Sequence, residues 1–144
     1  MKFVVSIYLT CMASWIVTVT VMMEQPWWLM LLGRNEYYVR VMNGFTNNSS
    51  VPLVIWCASE EMDLGGRALQ KDDDFSWVMR PNFWATNTMK CTIKWDTTRK
   101  TFEAFNLSRD TRRCRPHRIC SWLVTQHGFY FSNDEVNWRK DFQW

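Results

Sequence analysis

The chain has 144 residues, 47% of them hydrophobic, and a formal charge of +3. This size suits one ordinary domain, and the apolar share is too high for a disordered chain. The weak net charge gives no whole-protein signal for nucleic-acid binding, so any electrostatic role must come from where the charges sit.

The first element is an apolar segment. Lys2 is the only charge before Glu24, and Phe3 to Met23 is mostly apolar. This reads as the n- and h-regions of a signal peptide over residues 1–23, with cleavage as late as 33. Such a run is also long enough to span a bilayer if it is not cleaved. Cleavage leaves residues 34–144 as a single domain without a membrane span. Cys11 departs with the leader, and Cys57, Cys91, Cys114 and Cys120 remain. An even cysteine number in a secreted chain implies two disulfides, with three possible connectivities. The connectivity adopted as an expectation is Cys57 with Cys120 and Cys91 with Cys114.

The rest of the chain reads as short strands. Tyr38–Phe45 and Val51–Cys57 are strand candidates on either side of the polar turn Thr46–Ser50. Phe75, Trp77 and Met79 alternate with Ser76, Val78 and Arg80. The clearest case is Thr88–Trp95, with Met89, Cys91, Ile93 and Trp95 on one face and Thr88, Lys90, Thr92 and Lys94 on the other. Such period-two alternation marks a half-buried strand. Asp96–Arg99 turns the chain into Lys100–Phe105. Cys120–Thr125 is followed by a turn at His127-Gly128 and a return over Phe129–Phe131. Asn133-Asp134 then turns toward a last strand that begins around Val136 and Trp138. About seven or eight short strands of this kind predict an all-β fold, an antiparallel β-sandwich. Two long loops separate them, Ser59–Asp74 and Asn106–Ile119.

The order of residues resembles the plant self-incompatibility S-protein homologues. The markers are Asn43, Cys57, Asp63-Leu64-Gly65, Phe75-Ser76-Trp77, Cys91 with Trp95, Cys114, Cys120-Ser121-Trp122, Gly128 and Trp138. Trp56, where a histidine often precedes the first cysteine, and Lys90, where an apolar residue is common, depart from the usual pattern. The resemblance implies a secreted β-sandwich with two disulfides. It also implies a signalling ligand for a cell-surface receptor protein.

Within that frame the arginine-rich loop is the sharpest binding candidate. Arg109, Arg112, Arg113, Arg115 and Arg118 crowd a segment held by two cysteines. Arginine forks suit carboxylates, sulfates and phosphates, so an acidic receptor surface, an acidic cell-wall polysaccharide or an anionic membrane surface would fit. The alternative function is accordingly a polysaccharide-binding or defence-related secreted protein. Asn47, Asn48 and Asn106 head N-x-S sequons for glycosylation. The acidic runs Glu60-Glu61 with Asp63 and Asp72–Asp74 lack an EF-hand spacing and read as solvated loops rather than a calcium site. Cys114, His117 and Cys120 have a zinc-like spacing that oxidation would disable. Trp77, Trp84, Trp95, Trp122 and Trp138 read as core, with an exposed sugar-binding ladder as the alternative for Trp84 and Trp144. Glu103 and Asp110 are the one conceivable carboxylate pair. No nucleophile elbow, zinc-protease motif or phosphate loop occurs. The expectation is a non-enzymatic, extracellular monomer without metal or cofactor.

Overall fold

A computed structural model describes residues 36–46, 51–81 and 87–144. The segment read as a leader, with Cys11, lies outside the described residues, as do Asn47, Asn48 and Trp84. The described elements are β1 (Tyr37–Asn43), β2 (Leu53–Ala58), β3 (Asp63–Leu69), β4 (Asp74–Met79), β5 (Thr88–Trp95), β6 (Thr98–Asn106), α1 (Leu107–Arg113), β7 (Ile119–Thr125), β8 (Gly128–Ser132) and β9 (Arg139–Phe142).

The strands form two sheets, ordered β4-β1-β7-β8-β9 and β3-β2-β5-β6. All neighbours are antiparallel except β1 and β7, which run parallel from Tyr38↔Ile119 to Asn43↔Val124. The alternation read from the sequence sets the inner faces. Val39 and Val41, Leu53 and Ile55, Met89 and Ile93 are fully buried, while Lys90 and Lys94 face outward. Trp122 fills the centre of the core. Its Nε1–H donates to the Ala104 carbonyl of β6 at 2.8 Å, which ties the two sheets together. Phe102 and Phe131 meet it edge-on, at 5.1 and 5.2 Å between ring centroids. Removing a buried ring of this kind costs ~3–5 kcal/mol.

Three elements differ from the sequence expectation. β3 lies in what reads as a loop. Asp63-Leu64-Gly65-Gly66-Arg67-Ala68-Leu69 lacks alternating β-formers and buries only Leu69, because it is an edge strand held to β2 by backbone pairing. α1 occupies the start of the arginine loop and is too short, at seven residues, to show a helical period. The last strand begins at Arg139, because Asp134 gathers the preceding residues into a turn. The β5–β6 hairpin closes through Asp96-Thr97 alone, with Asp96 at a left-handed φ of 52°. At Gly128, φ is 126° and a Cβ would meet the Phe142 carbonyl oxygen at 2.5 Å, so only glycine fits.

The disulfide connectivity is also corrected. Cys57 bonds Cys91 and Cys114 bonds Cys120. Cys57 and Cys91 are directly opposed in the β2–β5 register, with Cα atoms 4.1 Å apart. Cys120 belongs to the other sheet, and α1 brings Cys114 back to it. The same bond removes the zinc-like reading of Cys114, His117 and Cys120, since neither sulfur is a free thiolate. The bonds span 34 and 6 residues. Loop-closure entropy then predicts that Cys57→Ala/Cys91→Ala costs ~4 kcal/mol and Cys114→Ala/Cys120→Ala ~2 kcal/mol. Urea unfolding of the two double variants measures the order and the gap.

Candidate functional site

The arginine segment folds as a tip at one end of the sandwich, built from the end of β6, α1 and the loop leading into β7. Asn106 caps α1 from an extended backbone, and its Oδ1 accepts from the Ser108 N–H at 3.1 Å. Its Nδ2 donates to Glu103 Oε2 at 3.2 Å, so the sequon's amide helps to join β6 to the helix.

Asp110 organises the tip. The residue is fully buried. Its Oδ2 accepts from the Asn106 N–H at 2.7 Å and from Arg109 Nη2 at 2.8 Å, and its Oδ1 accepts from Arg109 Nε at 2.8 Å. Arg109 also donates to the Glu103 carbonyl at 2.8 Å. The hydrogen bond to Asp110 raises the Arg109 pKa further above its usual value. Arg113 lies 3.9 Å from Asp110 Oδ1 and pairs with Asp141 at 3.2 Å. Its guanidinium sits 3.9 Å from the Phe131 ring centroid. Glu103 and Asp110 thus meet across Arg109, as its counter-ions rather than as a catalytic pair.

The five arginines therefore divide. Arg109 and Arg113 point into the molecule and hold it together. Arg112 and Arg115 are exposed and, among the described residues, form no ion pair. Arg118 is half-buried at a φ of 60°, with its guanidinium 6.0 Å from the Tyr37 ring and its carbonyl accepting from the Tyr38 N–H. The backbone beneath the free pair is fixed on three sides. The Cys114 N–H donates to the Asp110 carbonyl, the disulfide joins Cys114 to β7, and Asn133 Nδ2 donates to the Arg115 carbonyl at 2.6 Å.

That last bond docks a second ordered turn beside the tip. Asp134 Oδ1 accepts from the Val136 and Asn137 N–H groups at 2.9 and 2.8 Å and from the Ser132 hydroxyl at 2.8 Å. The Asn137 backbone and side-chain N–H groups, with Val136 and Ser132, hold the Asp134 carboxyl well below the usual carboxylate range. Glu135 reaches back to Arg40 of β1 at 3.1 Å and accepts from the Ser121 hydroxyl at 2.7 Å. Arg40 pairs on its other side with Asp74 at 3.0 Å.

Asp63 and Asp73 accept backbone N–H groups at turns, from Gly65 and Gln70. Among the described residues no group of three acidic, histidine or cysteine side chains is arranged to hold a metal. His117 and His127 are exposed, one on the tip and one in the β7–β8 turn. Trp144 is not part of an exposed ladder. It packs on Phe129 at 4.9 Å and donates its Nε1–H to the Thr125 carbonyl. The sequence reading missed Trp56, which is 53% exposed on the outer face of β2. The signal was present. In Leu53-Val54-Ile55-Trp56-Cys57 a buried Cys57 obliges Trp56 and Val54 to face outward.

Residues 38–144 match the family described as plant self-incompatibility protein S1. Among curated proteins the chain is similar to three from Arabidopsis thaliana. S-protein homolog 5 is 29% identical over 54% of this chain and 58% of its own length. S-protein homolog 29 is 32% identical over 55% and 58%. S-protein homolog 24 is 30% identical over 68% and 65%. The chain thus spans less than two thirds of the length of each of these relatives. No solved structure matches it.

Two measurements test this anatomy. Asp110→Ala leaves two guanidinium groups without their buried carboxylate and is expected to cost ~3 kcal/mol in chemical unfolding, whereas Arg112→Ala stays within ~0.5 kcal/mol. The Asp134 turn should respond to pH in the sense of a depressed carboxyl. Its stabilisation is complete above the ordinary aspartate value of about 4 and is lost only as pH falls through the lower folded value. The Val136 and Asn137 amide resonances should accordingly stay in place at about pH 4 and move in stronger acid.

Proposed function

This chain belongs to the plant self-incompatibility protein S1 family, and we propose that it is a secreted extracellular ligand recognised by a cell-surface receptor protein. The observation that carries this reading is the pair of exposed, unpaired guanidinium groups, Arg112 and Arg115, on a tip closed by Cys114–Cys120 and pinned by Asp110. A partner that docks here meets side chains on a backbone that is already ordered, so little backbone entropy is lost on binding. Two exposed forks with no counter-ion among the described residues favour an acidic receptor surface and speed its approach. Arg118 borders them from the Tyr37 side.

Secretion is part of the reading. It rests on the apolar segment at residues 3–23 and on two disulfides in so small a chain. The sequons at Asn47, Asn48 and Asn106 fit passage through the secretory route. Among the described residues no helix is long and apolar enough to cross a membrane. The protein acts by binding as a monomer, without catalysis, metal or cofactor.

The test is binding of the purified protein to plant plasma-membrane vesicles. Wild type should bind saturably, and protease treatment of the vesicles should abolish binding. Arg112→Ala/Arg115→Ala should weaken it about tenfold with an unchanged melting temperature. Equal binding by the double variant, or binding that survives proteolysis of the membranes, refutes the reading.

A further inference from the structure

The outer face of the four-stranded sheet carries a second surface that the arginine tip does not use. Register places its outward residues in rows. Gly66, Trp56, Thr92 and Thr101 lie side by side across β3, β2, β5 and β6, and Ala68, Val54, Lys94 and Arg99 form the next row. Lys90 follows in the third row, opposite Glu103. Trp56 thus has both Lys90 and Lys94 as diagonal neighbours on β5, ~7–8 Å away between Cα atoms.

The indole lies over glycine. A Cβ on Gly66 would come within 2.9 Å of Trp56 Cε3, so the absence of a side chain there lets the ring rest on the β3 backbone. One ring face is covered, and the residue is still 53% exposed. The Thr92 and Thr101 hydroxyls are hydrogen-bonded to each other at 2.9 Å beside it. Lys90, Lys94 and Arg99 are exposed and form no ion pair among the described residues. Glu103, the carboxylate opposite Lys90, is drawn toward Arg109 and Asn106.

We propose that this face binds a linear polyuronide, an acidic polysaccharide. One sugar ring would stack its apolar side on the Trp56 indole while the carboxylates of adjacent sugars meet Lys94, Arg99 and Lys90. The chemistry selects this occupant over others. A flat strip holding one aromatic plane and a rim of hydroxyls and cations suits a ribbon-like polymer that is apolar on its ring faces and anionic at its edges. A second copy of the chain fits poorly, because a two-fold contact sets the same cations against themselves. The cleft beyond Lys90, lined by Ser59, Glu60, Thr88 and Glu103, holds two carboxylates and would turn the polymer toward the Lys94–Arg99 half. This site goes beyond receptor recognition and shares no residue with Arg112 and Arg115.

The experiment is calorimetric titration with oligogalacturonate, set against neutral cello-oligosaccharide and poly-glutamate. Wild type should bind oligogalacturonate, more weakly as salt rises, and should not bind the neutral sugar. Trp56→Ala should lose about tenfold or more in affinity. Lys94→Gln/Arg99→Gln, which changes exposed side chains alone, should lose a similar factor and most of the salt dependence. Arg112→Ala/Arg115→Ala should bind like wild type, which separates this site from the receptor-binding tip. Unchanged oligogalacturonate binding by Trp56→Ala overturns the proposal. So does equal, Trp56-dependent binding of poly-glutamate, which would make the face an acidic-protein site. Trp56-dependent dimerisation in sedimentation without uronide binding overturns it in favour of self-association.

Discussion

The fold depends on the indole of Trp122. It is fully buried where the two sheets face each other, and its N–H reaches from β7 to the Ala104 carbonyl of β6. A buried N–H without an acceptor costs about 1–3 kcal/mol, so this bond fixes the spacing and offset of the sheets as well as filling the core. Phe102, Phe131 and Phe142 surround the ring. On its outer side Arg113 lies 5.5 Å from the Trp122 ring and closer still to Phe131. The aromatic core therefore ends in a cation, and that cation leads to Asp110. Arg113 thus links α1 to the aromatic core.

Asp110 then decides what the tip can do. A carboxylate with no solvent exposure must be supplied with charge and hydrogen bonds, or it destabilises the fold. Arg109 and the Asn106 N–H supply most of that, with Arg113 behind them. Two of five arginines are spent on a negative charge that the fold has buried. The electrostatic field of the tip is correspondingly weaker than a count of its arginines suggests, and it is set by Arg112, Arg115 and Arg118. Of these, Arg112 and Arg115 lie three residues apart across the helix end, and the Arg115 N–H donates to the Arg112 carbonyl. The backbone positions of the two residues are thereby fixed relative to each other.

Much of this was legible in the residues. Thr88–Trp95 alternates so regularly that its strand, its inner face and its hairpin partner could be read directly. The resemblance to the S-protein homologues agreed with the two-sheet fold. β3 was not legible because an edge strand can be held by backbone pairing while its side chains carry no pattern. The cysteine pairing depended on register, and one residue of slip would have moved Cys57 to the opposite face from Cys91. The division of the arginines was only partly visible. Asp110 stands three residues before Arg113, a spacing that meets on a helix, but nothing in the sequence announces that residues 107–113 are helical or that Asp110 points inward. The outward placement of Trp56 was legible from Cys57, since adjacent strand residues face opposite ways.

The tip and the Trp56 face share one physical device. β2 is an interior strand, paired with β3 on one side and β5 on the other, and the Cys57–Cys91 bond lies on the face beneath Trp56. The indole has little freedom left to lose on binding. The backbone that carries Arg112 and Arg115 is likewise fixed, by a helix end, a disulfide and the Asn133 bond. Pre-organisation of this kind raises affinity by lowering its cost and does not demand a large interface. In a chain of this size it also allows two surfaces of different chemistry to coexist. One offers charge at a narrow tip, suited to a complementary protein. The other offers a plane edged with charge, suited to a flat polymer. Exposed charges separated by more than about 8 Å are largely screened at physiological salt, so each surface is tuned by its own nearby residues.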